Sequence, residues 1–217
     1  MESPRPKIIA ECWVTSPEYR IMRDNCHAQG LPITFVNGCF DLFHSGHVRL
    51  LHHTAREVLR LSCWHNRGPL VVGLNTDYSV RELKGPGRPV LNWAERAIVL
   101  AAIDVVDAVV GFDEADASAL IGNLKPRFYG KGGDYAGKDI PELKALPDGA
   151  AAIYAPRSEI NLIDMSSSKV LAKVIDAEAT RVSTIPGSWS PLKAAIDSLA
   201  RARDQADGPG GGGKPGG

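Results

Sequence analysis

The chain has 217 residues, 44% apolar and 23% charged, values that suit one substantial α/β domain or two small ones and argue against bulk disorder and coiled coil. Twenty-five basic residues balance twenty-five acidic ones, so net charge offers no basis for nucleic acid or an anionic membrane as the main partner. The longest apolar run, 97–103, is too short to span a bilayer, residues 1–6 carry no export signal, and Cys12, Cys26, Cys39 and Cys63 lack Cys-x-x-Cys spacing, so a reduced, cytoplasmic protein is expected.

In chain order, residues 1–30 read as a lead-in with one helix. Ser16 can cap it, Pro17 suits its first position and Gly30 ends it after about residue 28. Residues 33–37 form a short strand that turns at Gly38. Val48, Leu51, Ala55, Val58 and Leu59 then share one helical face, with Arg49, His53, Arg56 and Arg60 turned away. Gly68-Pro69 precedes a second strand at 70–74. Residues 84–89 make a Gly/Pro loop, and Asn92 with Glu95 forms a capping box for the next helix. Further strands are expected at 105–112, 127–130 and 151–155, with helices at 116–123 and from Ser166 or Ser167 to about 177.

Nearly continuous apolar strands alternating with helices specify a doubly wound, Rossmann-like domain over 31–178, with five parallel strands. Ligands in such sheets bind beyond the carboxyl ends of the strands, where this sequence concentrates Gly, His and Ser. An extension over 179–207 carries a helical stripe of Leu192, Ala195, Ile196 and Leu199, and the Gly/Pro-rich stretch 208–217 reads as a flexible tail.

Four motifs carry chemistry. Asn37-Gly38-Cys39-Phe40-Asp41-Leu42-Phe43-His44-Ser45-Gly46-His47 joins the first strand to a helix. Its glycines admit a phosphate to the backbone, and His44 and His47 could neutralise charge on a phosphoryl group in flight. The plainer alternatives are a zinc pair or two unrelated surface histidines, but no third or fourth ligand stands nearby in sequence, so no protein-held metal is expected. Lys84 and Arg88 suit a phosphate grip, although alone they read as a solvated loop. Lys131-Gly132-Gly133-Asp134-Tyr135 permits close approach of a base or sugar, and Ser166-Ser167-Ser168-Lys169 places hydroxyls at a helix start. No P-loop and no Gly-x-Gly-x-x-Gly are present, which argues against P-loop and dinucleotide chemistry.

Together these motifs resemble the cytidylyltransferase-like nucleotidyltransferase superfamily over about residues 16–174, and within it the branch that adenylylates heptose 1-phosphate. Leu83-Lys84-Gly85, Arg88-Pro89-Val90, Glu95-Arg96 and the 131–135 run are similar to that branch. The resemblance implies transfer of AMP from ATP to a sugar 1-phosphate with release of pyrophosphate, with Mg2+ held mainly by the nucleotide phosphates. It implies catalytic His44, His47 and Lys84, and a nucleotide pocket of Asn37, Gly38, Phe40, Gly46, Arg96, Gly133, Asp134, Ser166 and Ser167. Lys84 and Arg88 would meet the substrate phosphate. The implied partners are ATP and a phosphorylated sugar, not nucleic acid or membrane, with homodimerisation left open. The rival from the same superfamily is CTP transfer to glycerol 3-phosphate or phosphoethanolamine. A nucleotide-binding regulator without turnover is the rival from another class, and retention of His44, His47 and Lys84 argues against it.

Overall fold

A computed structural model describes residues 7–62, 68–156, 158 and 166–183. The expected helix after Ser190, the tail at 208–217, and Cys63, Arg157 and Met165 lie outside the described residues. The chain divides into two compact units, Met1–Met165 and Ser166–Gly217.

The first unit is a parallel α/β sheet of six strands, not five. β1 (Ile8–Ala10), β2 (Thr34–Gly38), β3 (Leu70–Asn75), β4 (Ala108–Phe112), β5 (Phe128–Gly132) and β6 (Ala151–Ala155) lie in the order β1-β4-β3-β2-β5-β6. The added strand is β1, only three residues long, whose ladder to β4 pairs Ile9 with Val109. Too short to show a period of its own, it is specified by its neighbour. In the centre, Val36 pairs with Val72 on one side and with Gly130 on the other.

Seven α-helices are described: α1 (Pro17–Ala28), α2 (Ser45–Leu61), α3 (Asp77–Lys84), α4 (Trp93–Ala101), α5 (Ser118–Leu124), α6 (Pro141–Lys144) and α7 (Ser167–Ser183). Local chemistry sets the starts. Ser16 accepts the Tyr19 amide, and Asn92 accepts the Glu95 amide at 3.0 Å. Side chains of α1 and α5, Tyr19, Cys26, Leu120 and Leu124 among them, pack with Phe35, Val71 and Tyr129 on one face of the sheet. Leu51 and Ala55 of α2 and Ala97 and Leu100 of α4 pack with Val36, Val72 and Val109 on the other. The sheet is therefore wound on both faces, Rossmann-like, with every described strand end directed to one edge.

α2 lies unusually close to β5. A Cβ on Gly130 would stand 2.4 Å from Thr54 Oγ1 and 2.9 Å from a Val36 methyl carbon, so only glycine admits the helix there. The same approach buries His53, which periodicity places on the outer face. No helix among the described residues is long and apolar enough to cross a membrane. In the second unit, α7 begins where Ser166 Oγ accepts the Lys169 amide at 3.2 Å.

Candidate active site

Leaving β2, the chain turns through Phe40 in the left-handed region (φ 44°) and enters α2 with His44 at the N-cap. The Gly46 amide donates to His44 Nδ1 at 3.1 Å, and the His44 amide donates to His47 Nδ1 at 3.3 Å. Two imidazoles thus make the reciprocal capping box that Ser and Glu usually make. Because both Nδ1 atoms accept, each neutral ring carries its proton on Nε2. The rings stack with centroids 3.8 Å apart and planes 28° from parallel.

Burial lowers the pKa of both histidines. His47, beside His44 and Lys84 as well, is pushed down to about 3. The Phe40 and Phe43 rings enclose it, with centroids 5.0 and 5.4 Å away. A Cβ on Gly38 would come within 3.2 Å of the Phe40 ring, so glycine there seats that wall. The result is a pair of neutral Nε2–H donors side by side at a helix start, where the dipole favours an anion.

The second contribution comes from the loop after α3. Gly85 and Gly87, at φ 84° and 81°, turn the chain between Lys84 and Arg88, and Arg88 reaches the histidine loop at Asp41. Lys84 is exposed and within electrostatic range of both His47 and Cys39. Arg88 pairs with Asp41, which is fully buried and also accepts the Val90 amide at 2.7 Å. Asp41 therefore ties the two loops together.

Arg96, expected in the nucleotide pocket, is turned inward with 1% of its surface exposed. Its guanidinium donates to the carbonyls of Leu91, Cys39 and Asn75 at 3.0, 2.6 and 2.9 Å, and pairs with Asp77 at 2.7 Å. It clamps the chain just beyond β2 to the end of β3.

On the far side of β2, Tyr129 donates to Asn37 Oδ1 at 2.7 Å, and Asn37 Nδ2 approaches Glu142 at 3.5 Å. Lys131 Nζ meets the same Glu142 oxygen at 3.2 Å, and both side chains are about one tenth exposed. Gly133 and Asp134 follow on a 3-10 turn, Gly133–Tyr135, with Asp134 exposed. Ser166 and Ser167 stand at the start of α7 in the second unit, so this site is built from the first unit alone.

Sequence reasoning does not single out Asp77 or Glu142. Asp41 offers a signal, an acid set in the apolar turn Phe40-Asp41-Leu42-Phe43. A cleft of about 610 Å³ near the ends of β1 and β3 is lined by Glu11, Glu18, Asp77 and Asp113 without a basic side chain, so its field opposes a triphosphate. Among the described residues, no group of three or more His, Cys, Asp or Glu side chains could hold a metal ion.

A doubly wound parallel sheet whose central strand β2 leads into a helix capped by two imidazoles defines a Rossmann-like α/β protein. Residues 35–174 match the cytidylyltransferase-like family, and the chain belongs to it. Among curated relatives, "Bifunctional protein HldE" of Mesorhizobium japonicum is 43% identical over 141 residues, 65% of this chain and 25% of that protein. Its namesake in Geobacter metallireducens is 44% identical over 142 residues, 63% of this chain and 27% of that protein. That of Magnetococcus marinus reaches 49% over 109 residues, 50% of this chain and 20% of that protein. The chain spans about a quarter of the length of these relatives. A solved structure of the lipopolysaccharide core biosynthesis protein from Thermoplasma volcanium GSS1 is 25% identical, with TM-score 0.42, covering 58% of this chain and 94% of that one.

Proposed function

We propose that the chain transfers AMP from ATP to a heptose-type sugar 1-phosphate, forming an ADP-sugar and releasing pyrophosphate. The observation that carries the transfer chemistry is the pair of neutral imidazoles offering Nε2–H donors at the α2 N-terminus. The choice of ATP and a sugar phosphate is supported by the 131–135 run, by Lys84 with Arg88, and by the HldE relatives.

In this reading an acceptor phosphate oxygen attacks the α-phosphorus in line. The bond from that phosphorus to the bridging oxygen of the β-phosphate breaks, and its electron pair leaves with pyrophosphate. Negative charge shifts onto oxygens that His44 and His47 meet as donors, so neither ring needs to gain or lose a proton. Lys84 supplies the mobile positive charge that lets two anions converge, and Arg88, held by Asp41, turns its remaining donors to a substrate phosphate. Asn37, Gly38, Phe40 and Gly46 line the nucleotide, and Gly133 and Asp134 border it. Arg96 acts through the carbonyls it clamps.

Members of this class use a divalent cation. Asp41 is buried and engaged, so the triphosphate itself would hold Mg2+, which would offset charge on the leaving group. The setting proposed is the cytoplasm.

The test is pyrophosphate release by the full chain with ATP or CTP against heptose 1-phosphate, glycerol 3-phosphate and phosphoethanolamine. Turnover confined to ATP with the sugar phosphate is expected. Robust turnover of CTP with glycerol 3-phosphate, and none of ATP, would overturn the assignment.

A further inference from the structure

The transfer chemistry makes no use of the buried Lys131–Glu142 pair, and its position invites a role. β2 and β5 are adjacent, yet the chain leaves β2 toward β3 on the other side, so the crevice beyond their ends is the switch point of this sheet. Lys131 lies on β5 and Asn37 on β2, both at that edge. The strand end that meets Glu142 through Asn37 leads within seven residues to His44 at the start of α2. The pair therefore borders the same crevice as the histidines.

We infer that Glu142, Lys131 and Tyr135 form a subsite that reads ring hydroxyls of the acceptor sugar, an inference that rests on the adenylyl-transfer reading. Glu142 takes both its contacts, Lys131 and Asn37, on Oε1, and Oε2 has no hydrogen-bond partner among the described residues. The Lys131 ammonium uses one of its three donors on Glu142. The Tyr135 ring stands 4.8 Å from that ammonium and is 36% exposed, so it can wall a ligand that touches both charges.

The chemistry selects the ligand. A carboxylate repels a phosphate, which makes this the wrong place for the triphosphate or the acceptor phosphate. A vicinal diol fits, because one hydroxyl can donate to Oε2 while its neighbour accepts from the ammonium. The aliphatic face of a sugar ring also packs on an aromatic wall. Anchoring of α6 explains the pair less well. Burying two charges is costly, and apolar side chains would hold a four-residue helix as firmly. Asn37, fixed by Tyr129, keeps Oε1 in place and leaves Oε2 turned to the ligand.

The experiment measures kcat and KM separately for ATP and for heptose 1-phosphate, using the full chain, Glu142→Gln and Tyr135→Ala, with thermal melting as the folding control. Glu142→Gln is nearly isosteric, and Tyr135→Ala changes a partly exposed side chain, so a single folded variant is enough to decide. Loss of a charged hydrogen bond predicts about a tenfold to hundredfold rise in acceptor KM for Glu142→Gln. The KM for ATP should stay within about twofold, and a deoxy acceptor lacking the bound hydroxyl should be handled alike by both forms. An unchanged acceptor KM, or a rise confined to ATP, in a folded and active variant overturns the subsite alone. A parent chain that releases no pyrophosphate with any sugar phosphate overturns the adenylyl-transfer reading, and the subsite with it.

Discussion

Replacing His44 by asparagine separates the capping role seen in the structure from the catalytic-donor role proposed for that side chain. As the N-cap, His44 accepts the Gly46 amide through Nδ1. Asparagine is among the best N-cap residues, so the helix start should lose only a few tenths of a kcal/mol. What asparagine cannot reproduce is the Nε2–H donor that lies beside the His47 ring, 3.8 Å between centroids. Removing one preorganised donor from a charge-developing site costs about 3 kcal/mol, which predicts a fall in kcat of at least about a hundredfold. The double variant His44→Asn/His47→Asn should fall much less than the product of the single losses, since two donors acting on one group behave as a unit. Pyrophosphate release at saturating ATP and heptose 1-phosphate reads the rate, and thermal melting reads the fold. A His44→Asn chain with an unchanged melting point and kcat within about fivefold of the parent would refute the reasoning.

The packing sets three further outcomes. The pKa of His47 falls from 6.5 unfolded to about 3 folded, so between those values the unfolded chain binds more protons and stability drops as pH drops. From pH 7 to pH 5 this one group should remove about 2 kcal/mol, a slope that urea titration should find missing in His47→Asn; an identical pH slope in the variant contradicts it. Arg96→Lys keeps the charge but cannot reach three carbonyls and Asp77 together, so denaturant unfolding should show a loss of about 3 kcal/mol, and an unchanged midpoint would show the clamp to be dispensable. Gly130→Ala places a methyl against Thr54 and Val36, so melting should drop by the equivalent of about 1–3 kcal/mol and kcat should fall as α2 is displaced. A neutral result would mean that α2 is not seated closely on β5.

Much of this architecture can be read from short-range chemistry. Ser16 with Pro17 and Asn92 with Glu95 mark helix starts because caps are local hydrogen bonds. Runs such as Leu-Val-Val-Gly-Leu read as strands because both faces of the sheet are covered, which makes every position apolar. β1 is invisible to such reasoning because three residues carry no period, and its place is set by β4, about a hundred residues away. α3 is hidden for a different reason. Tyr78 and Leu83 are exposed while Val80 is buried, so no apolar stripe marks it, and only Thr76 capping Ser79 gives it away. At the site, the histidine pair is visible as a motif, but its tautomers are not, since they depend on which backbone amides meet Nδ1. Arg96 reads as a nucleotide-pocket residue because sequence shows a charge and not its direction. The Lys131–Glu142 pair joins a strand end to a separate short helix, so no single element's period links the two residues.

The most direct test of adenylyl transfer is the identity of the product. Heptose 1-phosphate and ATP, incubated with the full chain and a divalent cation, should yield one equivalent of pyrophosphate and an ADP-sugar, seen by phosphorus NMR as two coupled diphosphate resonances. ATP carrying labelled oxygen on its α-phosphorus should deliver that label to the ADP-sugar. Recovery of both reactants unchanged, or of free AMP with no sugar nucleotide, would contradict it.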